Sequence, residues 1–190
     1  MQTVNIMIVG VGGQGSLLAS RILGGLLVNE GYDVKVSEVH GMSQRGGSVV
    51  TYVRYGDKVY SPVVSDGEAD YIVSFETLEA ARYAKCLRSS GKIIVNTQTI
   101  DPMPVITGSA EYPYGVLEEL KAKGVDIDGI DALSLAESAG NVKSVNLVLM
   151  GRLAKYLGIA IEKWEAAIKE TVKPEFLEVN LKAFRAGYEQ

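Results

Sequence analysis

Cysteine is almost missing from this chain. Cys86 stands alone among 190 residues, and one thiol cannot close an internal disulfide, complete a cysteine-rich zinc site or hold an iron–sulfur cluster. Cys86 reads as filler within a helix. Histidine is equally scarce: His40 is the only one, and a lone imidazole does not make a metal site. No apolar run approaches the roughly 18 residues that span a bilayer. Met1-Gln2-Thr3 leads straight into a strand, without the charged and apolar regions of a signal peptide, so the expected location is cytoplasmic. A net charge of −4 argues against a nucleic-acid binder working through a broad basic face. There is no Gly-x-Ser-x-Gly elbow, Walker A segment, His-Glu-x-x-His pair or paired-carboxylate arrangement. Internal repeats, low-complexity tracts and linkers are absent as well.

What remains is an ordinary globular composition, 47% hydrophobic and 22% charged, so an interior can form without special devices. A chain of this length buries on the order of 70% of its unfolded surface and needs no metal or disulfide to hold a core. Residues 1–190 therefore read as one domain.

The order of elements predicts an α/β fold of Rossmann-like build: a three-layer α/β/α domain with a mostly parallel sheet, an antiparallel hairpin insertion and a helical C-terminal third. Val4–Val9 is nearly all apolar, as in a strand covered on both faces. Leu18, Ile22 and Leu26 recur at helical spacing and predict a helix from Ser16 to Glu30, ended by Gly31. Asp33–Val39 reads as a second strand. The period then changes: Val49–Arg54 alternates, and Tyr55-Gly56-Asp57-Lys58 has the composition of a turn returning into Val59-Tyr60. Strands are expected at Tyr71–Phe75 and Lys92–Asn96, with a helix from Thr77 to Arg88 between them. A helix at Val116–Lys123, a strand at Asp126–Ile130 and a helix at Ala132–Ala139 follow. Val145–Met150 begins a helix that is apolar nearly all round, the mark of an element buried in a core or an interface; it continues through Leu157 to Gly158. Glu162–Thr171 forms another helix around Trp164, and Pro174 suits the first turn of a terminal one.

Two glycine-rich segments carry the functional signal. Gly10-x-Gly12-Gly13-Gln14-Gly15 follows a strand and opens a helix, the context in which backbone amides and the helix dipole receive an anion. Glu38, at the end of the second strand, stands where a ribose-binding acid would be in a dinucleotide site. His40-Gly-Met-Ser43-Gln44-Arg45-Gly46-Gly47 adds an imidazole and a guanidinium fork suited to carboxylate or phosphate. His40 and Arg45 are candidates for the reaction itself, and Gly10, Gly12, Gly13, Gln14, Gly15, Ser43, Gln44, Gly46 and Gly47 for holding a cofactor. Glu76 and Asn96 follow two further strands, at the edge where ligands of open α/β sheets gather, although such residues equally cap the next helix. Asn146, inside the apolar helix, reads as a structural hydrogen-bonding residue. On these features alone a phosphate-type or interface loop, a true dinucleotide site and a ligand-free turn all stay open.

Taken together, Ile8–Gly15 and Glu38–Val49 resemble the gamma module of the 2-oxoacid:ferredoxin oxidoreductases. The wording His-Gly-Met-Ser-Gln-Arg-Gly-Gly is most similar to the indolepyruvate branch of that family. The likeness extends over the whole chain, including Tyr60-Ser61-Pro62, Gly67-Glu68-Ala69-Asp70 and the helix around Asn146. The resemblance implies a subunit that is inactive alone. A large alpha subunit would carry thiamine diphosphate, Mg and [4Fe-4S] clusters, and ferredoxin would receive the electrons. A 2-oxoacid and CoA would be the substrates, with no cofactor bound by this chain itself. Neither nucleic acid nor membrane is an expected partner. The thiamine diphosphate signature Gly-Asp-Gly…Asn is indeed missing here, since Ser65-Asp66-Gly67-Glu68 does not match it. Alternatives are a gamma subunit for pyruvate, 2-oxoglutarate or branched-chain 2-oxoacids, or a stand-alone dinucleotide-binding protein using Gly10–Gly15 and Glu38.

Overall fold

The computed structural model describes residues 2–41 and 47–190. Its strands are β1 (Val4–Val11), β2 (Asp33–His40), β3 (Ser48–Gly56), β4 (Ala69–Ser74), β5 (Leu87–Asn96) and β6 (Asp126–Ile130). They form one sheet in the order β2-β3-β1-β4-β5-β6. β1, β4, β5 and β6 run parallel, whereas β3 is antiparallel to both β1 and β2.

Each central strand sends alternate residues into two separate interiors. Ile6 and Ile8 of β1, Val73 of β4 and Ile94 of β5 enter the larger one, and Met7, Val9, Ile72, Ile93 and Val95 enter the smaller. The larger core is covered by α1 (Ser16–Asn29), α5 (Ala132–Ala139), α6 (Val145–Leu157), α7 (Ile161–Thr171) and α8 (Leu177–Glu189). The smaller is closed by α2 (Thr77–Tyr83) and α4 (Val116–Ala122) through Ala80 and Leu117. A four-residue helix, α3 (Met103–Ile106), lies in the stretch rich in proline. The result is a three-layer α/β/α domain with a helical C-terminal part. No helix among the described residues is long and apolar enough to cross a membrane.

α6 is the central helix of the larger core, with every residue from Val145 to Gly151 buried. Its all-round apolar character is satisfied within the chain, by the sheet on one side and α8 on the other. A methyl group added at Gly151 would stand 2.0 Å from the Phe184 carbonyl oxygen, and one at Gly187 would stand 1.9 Å from that of Val148. The two backbones touch, which only glycine permits.

Two expectations are corrected. β3 does not turn at residues 55–58 to pair with Val59-Tyr60. It runs on to Gly56, and both its edges are occupied, by β1 and β2. Val59 instead donates its amide to Asp33 Oδ2 at 2.9 Å, and Tyr60 is 90% exposed. The antiparallel hairpin is thus β2–β3, and residues 41–47 join its strands. The helix expected to reach Arg88 ends at Tyr83, followed by a 3-10 turn over Ala84–Cys86. β5 starts earlier than expected, because Leu87 pairs with Ala69 and Arg88 forms an ion pair with Asp70.

Candidate functional site

The first glycine segment lies between β1 and α1, at the carboxyl edge of the parallel strands. Its shape is fixed from inside. Gln14 accepts the amide of Val11 at 2.8 Å and donates to the Phe75 carbonyl at 3.3 Å. The same carbonyl receives Asn96 Nδ2 at 3.1 Å, and the Phe75 amide donates to Val9 O at 2.9 Å. Phe75 therefore ties the ends of β1, β4 and β5 together. The Gly12 amide donates to Gly47 O at 2.9 Å, joining this segment to the start of β3.

α1 begins at Gly15, whose φ of 86° lies in the left-handed region. Its first turn contains no acidic residue, and no side chain caps it. A 14-residue helix with that beginning leaves amide donors and the positive end of its dipole for an anion from outside. Gly15 is also held from the other side. Asn146 of α6 is buried and donates to Gly15 O at 3.3 Å, and a Cβ at Gly15 would lie 2.7 Å from that amide nitrogen.

A hollow of about 410 Å³ opens over this helix start, lined by Gly12, Gly13, Gly15, Ser16, Glu38 and His40, among others. Glu38 and His40 lie two residues apart on one face of β2 and reach the hollow together. Glu38 accepts a hydrogen bond from Thr51 Oγ1 at 3.3 Å, and exposed His40 has Nδ1 3.3 Å from Gly41 O. A second hollow of about 580 Å³ borders the other side of the glycine segment, where Gln14, Leu18, Lys143 and Asn146 contribute.

The structure thus brings together Gly12, Gly13, Gly15, Glu38 and His40 from separate parts of the chain. Gly10 ends the straight part of β1 beneath Gln14, whose polar atoms are spent on the backbone. Gly47 acts through its carbonyl. Ser43, Gln44, Arg45 and Gly46 lie outside the described residues. Glu76 and Asn96 are not ligand groups facing this hollow, and this corrects the expectation for both. Glu76 is buried, caps α2 by accepting the Glu79 amide at 2.5 Å, and takes the Tyr112 hydroxyl at 3.2 Å. Asn96, fully buried, accepts at 3.1 Å the amide of Ala132, the first residue of α5, whose own cap is Asp131. Glu76 follows the capping alternative, and Asn96 braces the backbone.

Sequence reasoning passed over Glu79. Its buried carboxylate accepts the Ser48 hydroxyl and lies 3.2 Å from Arg82. Burial pushes this carboxyl above its usual range, Ser48 and Arg82 oppose that push, and Glu76 adds to it. Ser48 follows directly on residues 41–47, so this buried acid anchors one end of that segment. Ser16 and Val49 were overlooked too; Val49 could have been found from its place opposite His40 in the β2–β3 register. Among the described residues no group of three or more His, Cys, Asp and Glu side chains is placed to share a metal ion.

Glu38 also speaks to the dinucleotide alternative. With β3 between β1 and β2, its strand stands two ladder spacings, about 9–10 Å, from β1. In the ordinary dinucleotide fold the acid-bearing strand is β1's immediate neighbour.

Fold and glycine segment define a Rossmann-like module with an antiparallel strand inserted beside β1. The chain belongs to the pyruvate ferredoxin/flavodoxin oxidoreductase family, whose model matches residues 5–190. It is 44% identical to the indolepyruvate oxidoreductase subunit IorB of Thermococcus kodakarensis, over 98% of this chain and 95% of that one. It is 45% identical to the protein of the same name from Pyrococcus horikoshii, with the same coverage. The pyruvate/ketoisovalerate oxidoreductases common subunit gamma of Pyrococcus abyssi is 31% identical over 98% of this chain and 96% of its own. Among solved structures, pyruvate oxidoreductase subunit PORC of Thermotoga maritima superposes with a TM-score of 0.76 at 23% identity, covering all of this chain and 97% of that one. At that identity the likeness speaks to the fold alone.

Proposed function

We propose that this chain is the smaller subunit of an indolepyruvate, or more broadly arylpyruvate, ferredoxin oxidoreductase. In this reading a large partner subunit carries the thiamine diphosphate, magnesium and iron–sulfur clusters. The assembled enzyme oxidatively decarboxylates the 2-oxoacid, forms the acyl-CoA and passes two electrons to ferredoxin. The indolepyruvate branch is favoured over a pyruvate or branched-chain one because the indolepyruvate relatives are 35–45% identical to this chain and the pyruvate/ketoisovalerate ones 29–31%. In this reading the chain works in the cytoplasm beside that partner.

The observation that carries the reading is the uncapped start of α1, opening onto the hollow that Glu38 and His40 also line. The chain contributes one wall of an active-site entrance. There the amides of Gly13 and Gly15, with those of Gly12 and Gln14 spent on Gly47 O and Val11 O, and the Arg45 guanidinium meet an anion: a CoA phosphate, the substrate carboxylate or an acid of the partner. Amides at a helix start and a guanidinium suit such groups, and they position an anion without taking part in bond making. Co-expression with the thiamine-dependent large subunit should yield a co-purifying complex that reduces ferredoxin with indolepyruvate faster than with pyruvate or 2-oxoglutarate. Failure to co-purify, or a preference for pyruvate, would overturn the assignment. In the intact complex, Arg45→Ala should lower CoA-dependent turnover by about tenfold, the worth of one charged hydrogen bond, while assembly changes far less. Unchanged turnover would remove Arg45 from the site.

A further inference from the structure

A third hollow, of about 530 Å³, lies between the start of α6 and the turn that joins α7 to α8. It shares no lining residue with the hollow beneath His40. Its volume is that of a small-molecule site. Lys143 and Lys173 stand on its rim, and none of its lining residues is acidic. Both lysines are exposed, and among the described residues neither forms an ion pair.

Between them sits Ser144. It is only 1% exposed, it lines the hollow, and its hydroxyl has no hydrogen-bond partner. A buried hydroxyl ordinarily has one, so this group is left for an occupant. Ser144 is also the last residue of a 3-10 turn (Val142–Ser144) that runs into α6 and is itself capped by Asn141, whose side chain accepts the Lys143 amide at 3.0 Å. The lining also has an apolar part, Val172, Leu18 and the half-exposed ring of Phe176.

We infer that this hollow is a binding site for a phosphorylated, ring-bearing small molecule of the nucleoside diphosphate type. Two separated ammonium groups and a hydroxyl suit tetrahedral phosphate oxygens; a planar carboxylate is better matched by an arginine fork, which this hollow lacks. The Phe176 ring offers the flat face on which a base stacks. The inference is independent of the active-site reading above, because Arg45 and the Gly12–Gly15 amides take no part in it.

Isothermal titration of the full chain with ADP, inorganic pyrophosphate and adenosine tests it. ADP should bind saturably. Pyrophosphate and adenosine should each bind about tenfold more weakly or worse, since each lacks one half of the contacts. The double variant Lys143→Glu/Lys173→Glu should weaken ADP by about tenfold or more, with its melting curve unchanged because both side chains are exposed. Ser144→Ala should also weaken ADP. The proposal is overturned if ADP gives no saturable heat at millimolar concentration, if the lysine double variant binds as wild type does, or if adenosine binds as tightly as ADP.

Discussion

At Gly15 two demands fall on one residue. Its φ of 86° suits glycine, and a Cβ there would press on the buried Asn146 amide, 2.7 Å away. Gly15→Ala should therefore cost about 1–2 kcal/mol for the left-handed conformation and about 1 kcal/mol more for the displaced Asn146 hydrogen bond. Urea unfolding measures the sum. The two parts are separable, because Asn146→Ala removes the obstacle: the double variant should lose less stability than the two single losses added, and strict additivity would show that the pair is uncoupled. Glu79 makes a different kind of prediction. Its folded carboxyl titrates above the ordinary 4.5, chiefly through burial. Between that value and the raised one, the folded chain holds more protons than the unfolded chain at this position. Stability drawn from this group therefore falls as pH rises through the window. The stability difference between wild type and Glu79→Gln should shrink steadily from pH 4.5 upward in urea melts. A difference that stays constant, or grows with pH, would refute the direction.

Among elements, α6 and α8 stand closest, because Gly151 and Gly187 place backbone on backbone. Gly187→Ala should push the helices apart and cost about 1–3 kcal/mol, as overpacking does, with a lower midpoint and an unchanged m-value in denaturant. An alanine at Gly25 of α1, where no atom lies within 4 Å and φ is not left-handed, should carry no such cost. Parity between the two would mean that the close approach carries no energy. The helices of the C-terminal part are legible in the sequence because their ends are punctuated: Gly158 and Gly140 adopt left-handed φ at the stops of α6 and α5. A 3.6-residue stripe marks the faces of α7 and α8. The strands are legible as strands, β1 and β4 as apolar runs and β2 by its alternation, but their order is not. β3 buries residues on both sides wherever it sits, so its pattern cannot say which strands it pairs with. Gly56 misleads for a related reason. It resembles the centre of a turn, yet its role is close approach, since a Cβ there would come within 3.1 Å of the Thr3 Cα.

For the whole molecule, the position of β3 decides how the glycine segment is to be understood. That segment is legible in the sequence because glycines after a buried strand and before a helix have few other uses. Its internal bracing is not legible. Gln14 reads equally well as a ligand group or as a staple, and only the position of Phe75 decides. Glu76 and Asn96 are overread for the same reason: a polar residue at a strand end serves a cap or a ligand according to what packs above it. Glu38 still reaches the hollow, but from a strand two spacings away from β1, with β3 between them. The module therefore keeps the anion-binding helix start of a dinucleotide fold and moves away the strand that would grip a ribose. Any thermal stabilisation of the isolated chain by NAD or FAD should then not depend on Glu38. The measurement is sensitive. A genuine site at ligand 100-fold above its Kd adds about 2.7 kcal/mol, which for a chain of this length raises Tm by about 5–10 °C. A shift of that size with NAD, abolished by Glu38→Ala, would return the chain to the stand-alone dinucleotide-binding reading. A flat response, or one that Glu38→Ala leaves unchanged, together with co-purification of the large subunit, leaves the α1 start as part of a wall whose chemistry comes from another chain.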